Sequence, residues 1–220
     1  VVKGPAAITQ GPYTIGGALN MVSTPIPTEM SGNVVTEAGE DSTYRVHATY
    51  GGRTNSGFGF LLETHQWQSD GFQSIDRGSN DTGLNVEDYT VKLSYAPMNS
   101  PHAIELKLQA TDQDSNQSYL GLTDNDFSNN AFRRYGVSEL DNIETKHEQQ
   151  ILRYSYDLSD SLDVSVTAYN NEHQRNWFKT EGIDFDGSAN AEDFDHNSWF
   201  NVIQAINSGM SLNGMAPDQL

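Results

Sequence analysis

Residues 102–112, HAIELKLQATD, set Ile104, Leu106, Leu108 and Ala110 at alternate positions, with Glu105, Lys107, Gln109 and Thr111 between them. A period of two sends successive side chains to opposite faces of a strand, so one face of this segment is apolar and the other wet. Residues 162–168 repeat the pattern, with Leu162, Val164, Val166 and Ala168 against Asp163, Ser165 and Thr167. Working outward on the same criterion, seven strands are predicted over 32–38, 43–52, 57–68, 86–96, 102–112, 146–157 and 161–172. The fold class is therefore all-β. Several of the strands reach the roughly 9–11 residues of a tilted membrane strand.

Alternation also suits a soluble sandwich, so connection lengths have to discriminate. Those after the second, fourth and sixth strands are short: Arg53 to Ser56, Pro97 to Pro101, and the Leu158-Ser159-Asp160 turn. Those after the third and fifth are long, the region after the seventh is longer still, and Gly39 to Ser42 is a short exception. An outer-membrane barrel has tight turns at one end and extended loops at the other, an asymmetry that a sandwich has no reason to keep. Aromatic residues fall toward strand ends, at Tyr44, Tyr50, Phe58, Trp67, Tyr89, Tyr95, Tyr154, Tyr156 and Tyr169, where interfacial girdles would place them. Ordinary β-propensity of aromatics is the alternative cause. Trp199, Phe200, Val202, Ile203 and Ile206 recur at helical spacing between Asn197 and Gly209, which predicts a short helix in the last loop.

Composition narrows the partners. The 220 residues carry a net charge of −18 with only 12 Lys and Arg, which argues against a nucleic-acid backbone as ligand. Hydrophobic residues make up 35% and mean hydropathy is −0.61, and no apolar run approaches the roughly 20 residues of a membrane helix, so any membrane contact is through strands. Cysteine is absent, removing disulfides and thiolate metal sites. Without an initiator Met or a leader-like start, the sequence is expected to begin inside a larger or processed product.

Residues 1–28 have a different texture. Gly4-Pro5, Gly11-Pro12 and Gly16-Gly17 break short apolar runs at intervals too brief for membrane strands, so this part is expected to form short strands apart from the longer ones. Val2-Lys3-Gly4-Pro5, then Gly11, then Ile15-Gly16-Gly17-Ala18-Leu19-Asn20-Met21-Val22 resemble the end of the plug domain of TonB-dependent receptors: a V-x-(R/K)-G-P opening, a glycine turn and a G-G-x-(I/L)-N-x-V strand. The double glycine allows close backbone approach or positive φ. Ser118 to Asp124 with Asp126-Phe127, Phe132-Arg133-Arg134-Tyr135, and Arg175 to Lys179 look like segments of the ferric-dicitrate receptor group.

The resemblance implies residues 1–28 as the C-terminal part of a plug (Gly4, Pro5, Gly11, Gly16, Gly17 and Asn20 carrying its motif) and residues 29–220 as the first strands of a transmembrane antiparallel β-barrel. Such barrels close with about 22 strands around a plugged lumen. It implies import of a ferric siderophore or ferric citrate across the outer membrane of a Gram-negative bacterium, energised by the TonB-ExbB-ExbD complex, with lipid and lipopolysaccharide around the wall. The iron chelate is cargo, and no cofactor, resident metal or enzyme activity is implied. The TonB box, the early plug and the later strands lie outside this sequence.

A ferric citrate complex is anionic, so Arg133 and Arg134 are the first candidates for ligand contact, as guanidinium forks for carboxylates. The alternative is pairing with loop acids such as Asp124, Asp126 or Glu139. Arg175 and Lys179 could line the same vestibule or anchor a loop near lipopolysaccharide phosphates, and Tyr119 and Trp177 could stack on ligand or pack within loops. The Asp-x-Asp pairs at 112/114, 124/126, 184/186 and 193/195 lack the continuation of an EF-hand loop, and the histidines show no zinc spacing. The rival reading is a soluble or cell-surface β-sandwich binding module with acidic, calcium-binding loops, which leaves residues 1–28 unexplained.

Overall fold

The computed structural model describes residues 2–3, 17–19, 22–180, 182–183 and 192–193. In chain order the strands are β1 (Val2–Lys3), β2 (Gly17–Ala18), β3 (Ser31–Ala38), β4 (Tyr44–Arg53), β5 (Phe58–Ser69), β6 (Ser74–Ile75), β7 (Leu84–Tyr95), β8 (His102–Ser115), β9 (Arg133–Arg134), β10 (Asn142–Ser159), β11 (Leu162–Phe178), β12 (Gly182–Ile183) and β13 (Glu192–Asp193), with one α-helix, α1 (Asp124–Asn129), between β8 and β9. The seven long strands β3, β4, β5, β7, β8, β10 and β11 form one antiparallel meander with β3 and β11 at its open edges. All seven predicted strands are present. β10 begins at Asn142 rather than 146, and β11 runs to Phe178 rather than 172. These extensions are polar apart from the Ile143↔Trp177 pair and Phe178 at the end, so the backbone ladder continues from Lys146↔Gln174 to Asn142↔Phe178 where regular apolar alternation has stopped.

An up-and-down meander must alternate its connections between two ends. Residues 54–57, 96–101 and 160–161 turn at one end, while 70–83, 116–141 and the chain beyond 178 emerge at the other, joined there by the short hairpin at 39–43. That hairpin is tied to its neighbour, because Asp70 N–H donates to Asp41 O at 2.9 Å.

Strand pairing fixes which side chains share a face. One row runs Phe60↔Leu93↔Leu106↔Leu152↔Ala168 and the next Phe58↔Tyr95↔Ile104↔Tyr154↔Val166. This face is apolar yet uncovered: Leu62, Leu93, Ile104, Leu108, Leu152 and Val166 are 38% to 58% exposed. The apolar band also slips along the pairing rows. On β4 it spans Tyr44 to Tyr50, and on β11 Ala168 to Leu162. Tyr44 pairs through Gln68, Asn85, Asp114 and Glu144 to Asn176, while Tyr50 pairs through Leu62, Val91, Leu108 and Gln150 to Asn170. Both edges of the band therefore move by eight residues between β4 and β11.

The opposite face is polar and partly covered. Thr90, Lys92 and Ser94 are buried there beneath the segment 22–30. Lys92 Nζ donates to Thr24 O at 2.7 Å and Thr24 Oγ1 to Glu63 at 2.8 Å. Ile26 packs over Gly59 and, with Leu61 and Ile75, makes up the buried hydrophobics among the described residues. Thr90, Lys92 and Ser94 are thus buried on β7 while Tyr89, Leu93 and Tyr95 of the same strand are exposed on the apolar face. A Cβ on Gly59 would lie 2.7 Å from Ser94 Oγ and 3.2 Å from Ile26 Cγ2. Gly59→Leu is accordingly expected to cost about 1–3 kcal/mol by overpacking and to lift segment 22–27 off the sheet, read as new protease cleavage there.

β1 and β2 pair in a separate two-stranded sheet, Val2↔Ala18 and Lys3↔Gly17. Gly17 has φ +131°, a conformation that glycine adopts without penalty. Gly4, Pro5, Gly11, Gly16 and Asn20 lie outside the described residues, as does the helix predicted near Trp199 to Ile206.

Candidate functional site

The long loops build one unit at their end of the sheet. Residues 74–75 and 133–134 pair as the parallel strands β6 and β9. Helix α1 starts from a capping arrangement: Asp126 N–H donates to Thr123 Oγ1 at 3.2 Å, and that hydroxyl donates to Asp126 Oδ2 at 3.0 Å. The T-x-x-D spacing of Thr123 and Asp126 was the available signal for this helix, which the strand pattern does not reveal. Asp126 is buried and accepts from Tyr135 Oη at 2.6 Å, and burial together with this bond raises the Tyr135 pKa.

Arg133 and Arg134 are adjacent but face opposite environments. Arg134 is 3% exposed. Its guanidinium donates to Ser138 Oγ at 3.0 Å, to the carbonyls of Asn116 and Ser138, and to Asp141 O at 3.4 Å. Burial lowers its pKa, with Asp141 offsetting part of the effect. Arg134, first among the candidates for ligand contact, is thus enclosed as part of the frame of the loop. Arg133 bridges Asp76 at 2.7 Å and Asp126 at 2.9 Å, over the Tyr135 ring at 5.3 Å. Burial works against its charge, but the Asp76 bond and the two carboxylates outweigh it and raise its pKa. The pairing of Arg133 with a loop acid such as Asp126 is therefore present, with Asp76 as a second partner.

The other four candidates converge. Arg175, Trp177 and Lys179 alternate along the end of β11 and beyond, on the polar face, and Tyr119 reaches them from the 116–141 loop. Tyr119 and Trp177 meet edge to face at 6.3 Å. Lys179 Nζ lies 4.4 Å from the Tyr119 ring centre and 4.9 Å from that of Trp177, and Arg175 Cζ sits 5.5 Å over Trp177. Asp141, 1% exposed, holds this group in place by accepting from Thr180 N at 2.8 Å, Thr180 Oγ1 at 2.9 Å and Ser118 Oγ at 3.1 Å. Trp177 Nε1 is buried and has no hydrogen-bond partner among the described residues.

No known protein family, curated protein or solved structure matches this chain. The chemistry of the site therefore rests on its own residues. Two cations against two aromatic rings, with an indole N–H in want of an acceptor, suit an anion carrying several oxygens. Asp141 and Thr180 carry no motif, and their role depends on two segments 39 residues apart meeting at the loop end.

Proposed function

We propose that this chain is part of a TonB-dependent outer-membrane receptor, a segment of a transmembrane β-barrel with the end of its plug, importing a ferric chelate of the citrate or siderophore type. The observation that carries the reading is the polarity of the sheet: an uncovered apolar band backed by a polar face that is partly buried, with the long loops at one end. A face of this polarity is stable against lipid, and Tyr44 and Tyr50 on β4, like Tyr89 and Tyr95 on β7, stand at its two edges as interfacial girdles do. The slip of the band adds geometry. Eight residues correspond to about 26 Å along the strands over roughly 24 Å across five strand spacings, so a level band needs a tilt of about 45°, close to that of barrel closure. The segment 22–30, held to the polar face through Lys92 and Glu63, is where a chain leaving a plug would join the wall.

Import places the loop unit outside the cell, with Arg175, Lys179, Tyr119 and Trp177 meeting the anionic chelate, and with the TonB-ExbB-ExbD complex as the source of energy. Against a chain of charge −18, paired cations at the loop end are where an anion gains most. Cells with the intact receptor are expected to take up radiolabelled ferric citrate, and cells without it are not. Each charge-assisted contact is worth about 1.5–3 kcal/mol, so Arg175→Ala with Lys179→Ala should weaken binding tenfold or more while the barrel still inserts. Equal binding by the double variant would remove these residues from the site, and equal uptake without the receptor would remove the function.

A further inference from the structure

Four of the six histidines in the sequence fall on one rung of the polar face. The pairing runs His47↔His65↔Asp88↔Thr111↔His147↔His173 across six strands. Spacing in the sequence gives no sign of this, because the rung is assembled from strands up to 126 residues apart, and only the register brings the imidazoles together.

The two pairs differ in their surroundings. His47 Nε2 lies 2.9 Å from Glu63 Oε1, and His65 Nε2 accepts from Arg45 Nε at 2.8 Å, so the first pair is engaged and has a guanidinium against it. His147 and His173 face each other directly across β10 and β11, with ring centres 5.8 Å apart and planes at 57°. The nearest cation along β11, Arg175, lies over Trp177. Two imidazoles bound to one ion at a metal–nitrogen distance of about 2.1 Å have ring centres roughly 4.5–6 Å apart, so small χ rotations suffice for a shared ligand.

We propose that His147 and His173 bind a divalent transition-metal ion of the zinc, copper or nickel class, with water completing its coordination. Among the described residues no three His, Asp or Glu side chains form a metal cluster, so the site is a two-imidazole one, open to solvent or to the donors of an arriving chelate. Imidazole suits these borderline ions, whereas ferric iron is served by hard oxygen donors, so this specificity is separate from that proposed for the loop end. The rung lies four residues along β11 from Trp177, roughly 13 Å beneath the aromatic cluster. The site depends on strand pairing alone and stands or fails independently of ferric chelate uptake.

The test is titration of the intact protein, purified in detergent, with Cu²⁺ alone, followed by electron paramagnetic resonance. Wild type is expected to show a copper ion coupled to two imidazole nitrogens, and His147→Asn and His173→Asn are each expected to weaken binding at least tenfold. A His47→Asn, His65→Asn double variant should bind as wild type does. Fewer than two coupled imidazoles in wild type, or unchanged affinity in a His147→Asn, His173→Asn double variant, would overturn the proposal. If a His147 or His173 variant fails to fold, the His47→Asn, His65→Asn double variant still decides, since loss of the two-imidazole spectrum there would place the ion on the other pair and overturn the proposal.

Discussion

Leu106→Arg is expected to lower the stability of the intact protein in a phospholipid bilayer by about 2–4 kcal/mol, the depth-dependent cost of a cation on the lipid face of a barrel. Leu106 sits in the middle of the row Phe60, Leu93, Leu106, Leu152 and Ala168, so an arginine there has no polar neighbour on its own row. Gln113→Arg, on the opposite face of the same strand, is the control and should stay within about 0.5 kcal/mol of wild type. Reversible urea unfolding in vesicles, followed by tryptophan fluorescence, gives both values. The comparison separates the two readings by sign. If this face met water, replacing a partly exposed leucine on it with arginine would be close to neutral, and the membrane reading would fall.

Arg134→Ala is expected to unfold the loop unit while leaving the sheet intact. Removing the guanidinium strips donors from three backbone carbonyls and the Ser138 hydroxyl in an enclosed site, and loss of one partner from a buried charged network typically costs about 3–5 kcal/mol. Residues 116–141 should become protease-sensitive and ferric citrate binding should disappear with them, at unchanged strand content by circular dichroism. Arg134→Lys should recover little, since one ammonium cannot satisfy acceptors spread around a planar fork. Arg133→Ala is expected to cost only about 1 kcal/mol, because its pairs with Asp76 and Asp126 are partly solvated. If Arg134→Ala abolished binding while residues 116–141 kept their protease resistance, direct ligand contact would be restored as its role.

Much of the sheet is legible from residues 102–112 outward because the side-chain period of a strand is two, and a half-apolar strand writes that period into its sequence. The order of long and short connections then assigns the two ends, since an antiparallel meander leaves no other choice. The readable signal stops where chemistry stops alternating. The extensions of β10 and β11 beyond the predicted bounds, residues 142–145 and 173–178, carry no regular alternation, and only the hydrogen-bond ladder shows them to be strand.

The loop end obeys a different rule. Adjacent residues in extended backbone point opposite ways, so Phe132-Arg133-Arg134-Tyr135 announces two cations without saying which is enclosed. That is decided when residues 74–75 meet 133–134 and the loop closes over Arg134. Likewise Tyr119 joins Trp177 and Lys179, and His147 joins His173, only because folding brings distant segments together. The strands, the polarity of their faces and the alternation of their connections depend on near neighbours and can be read along the chain. Which charges are buried, and which rings and imidazoles share a site, is set on folding, because desolvation and contact are properties of segments that are remote along the chain.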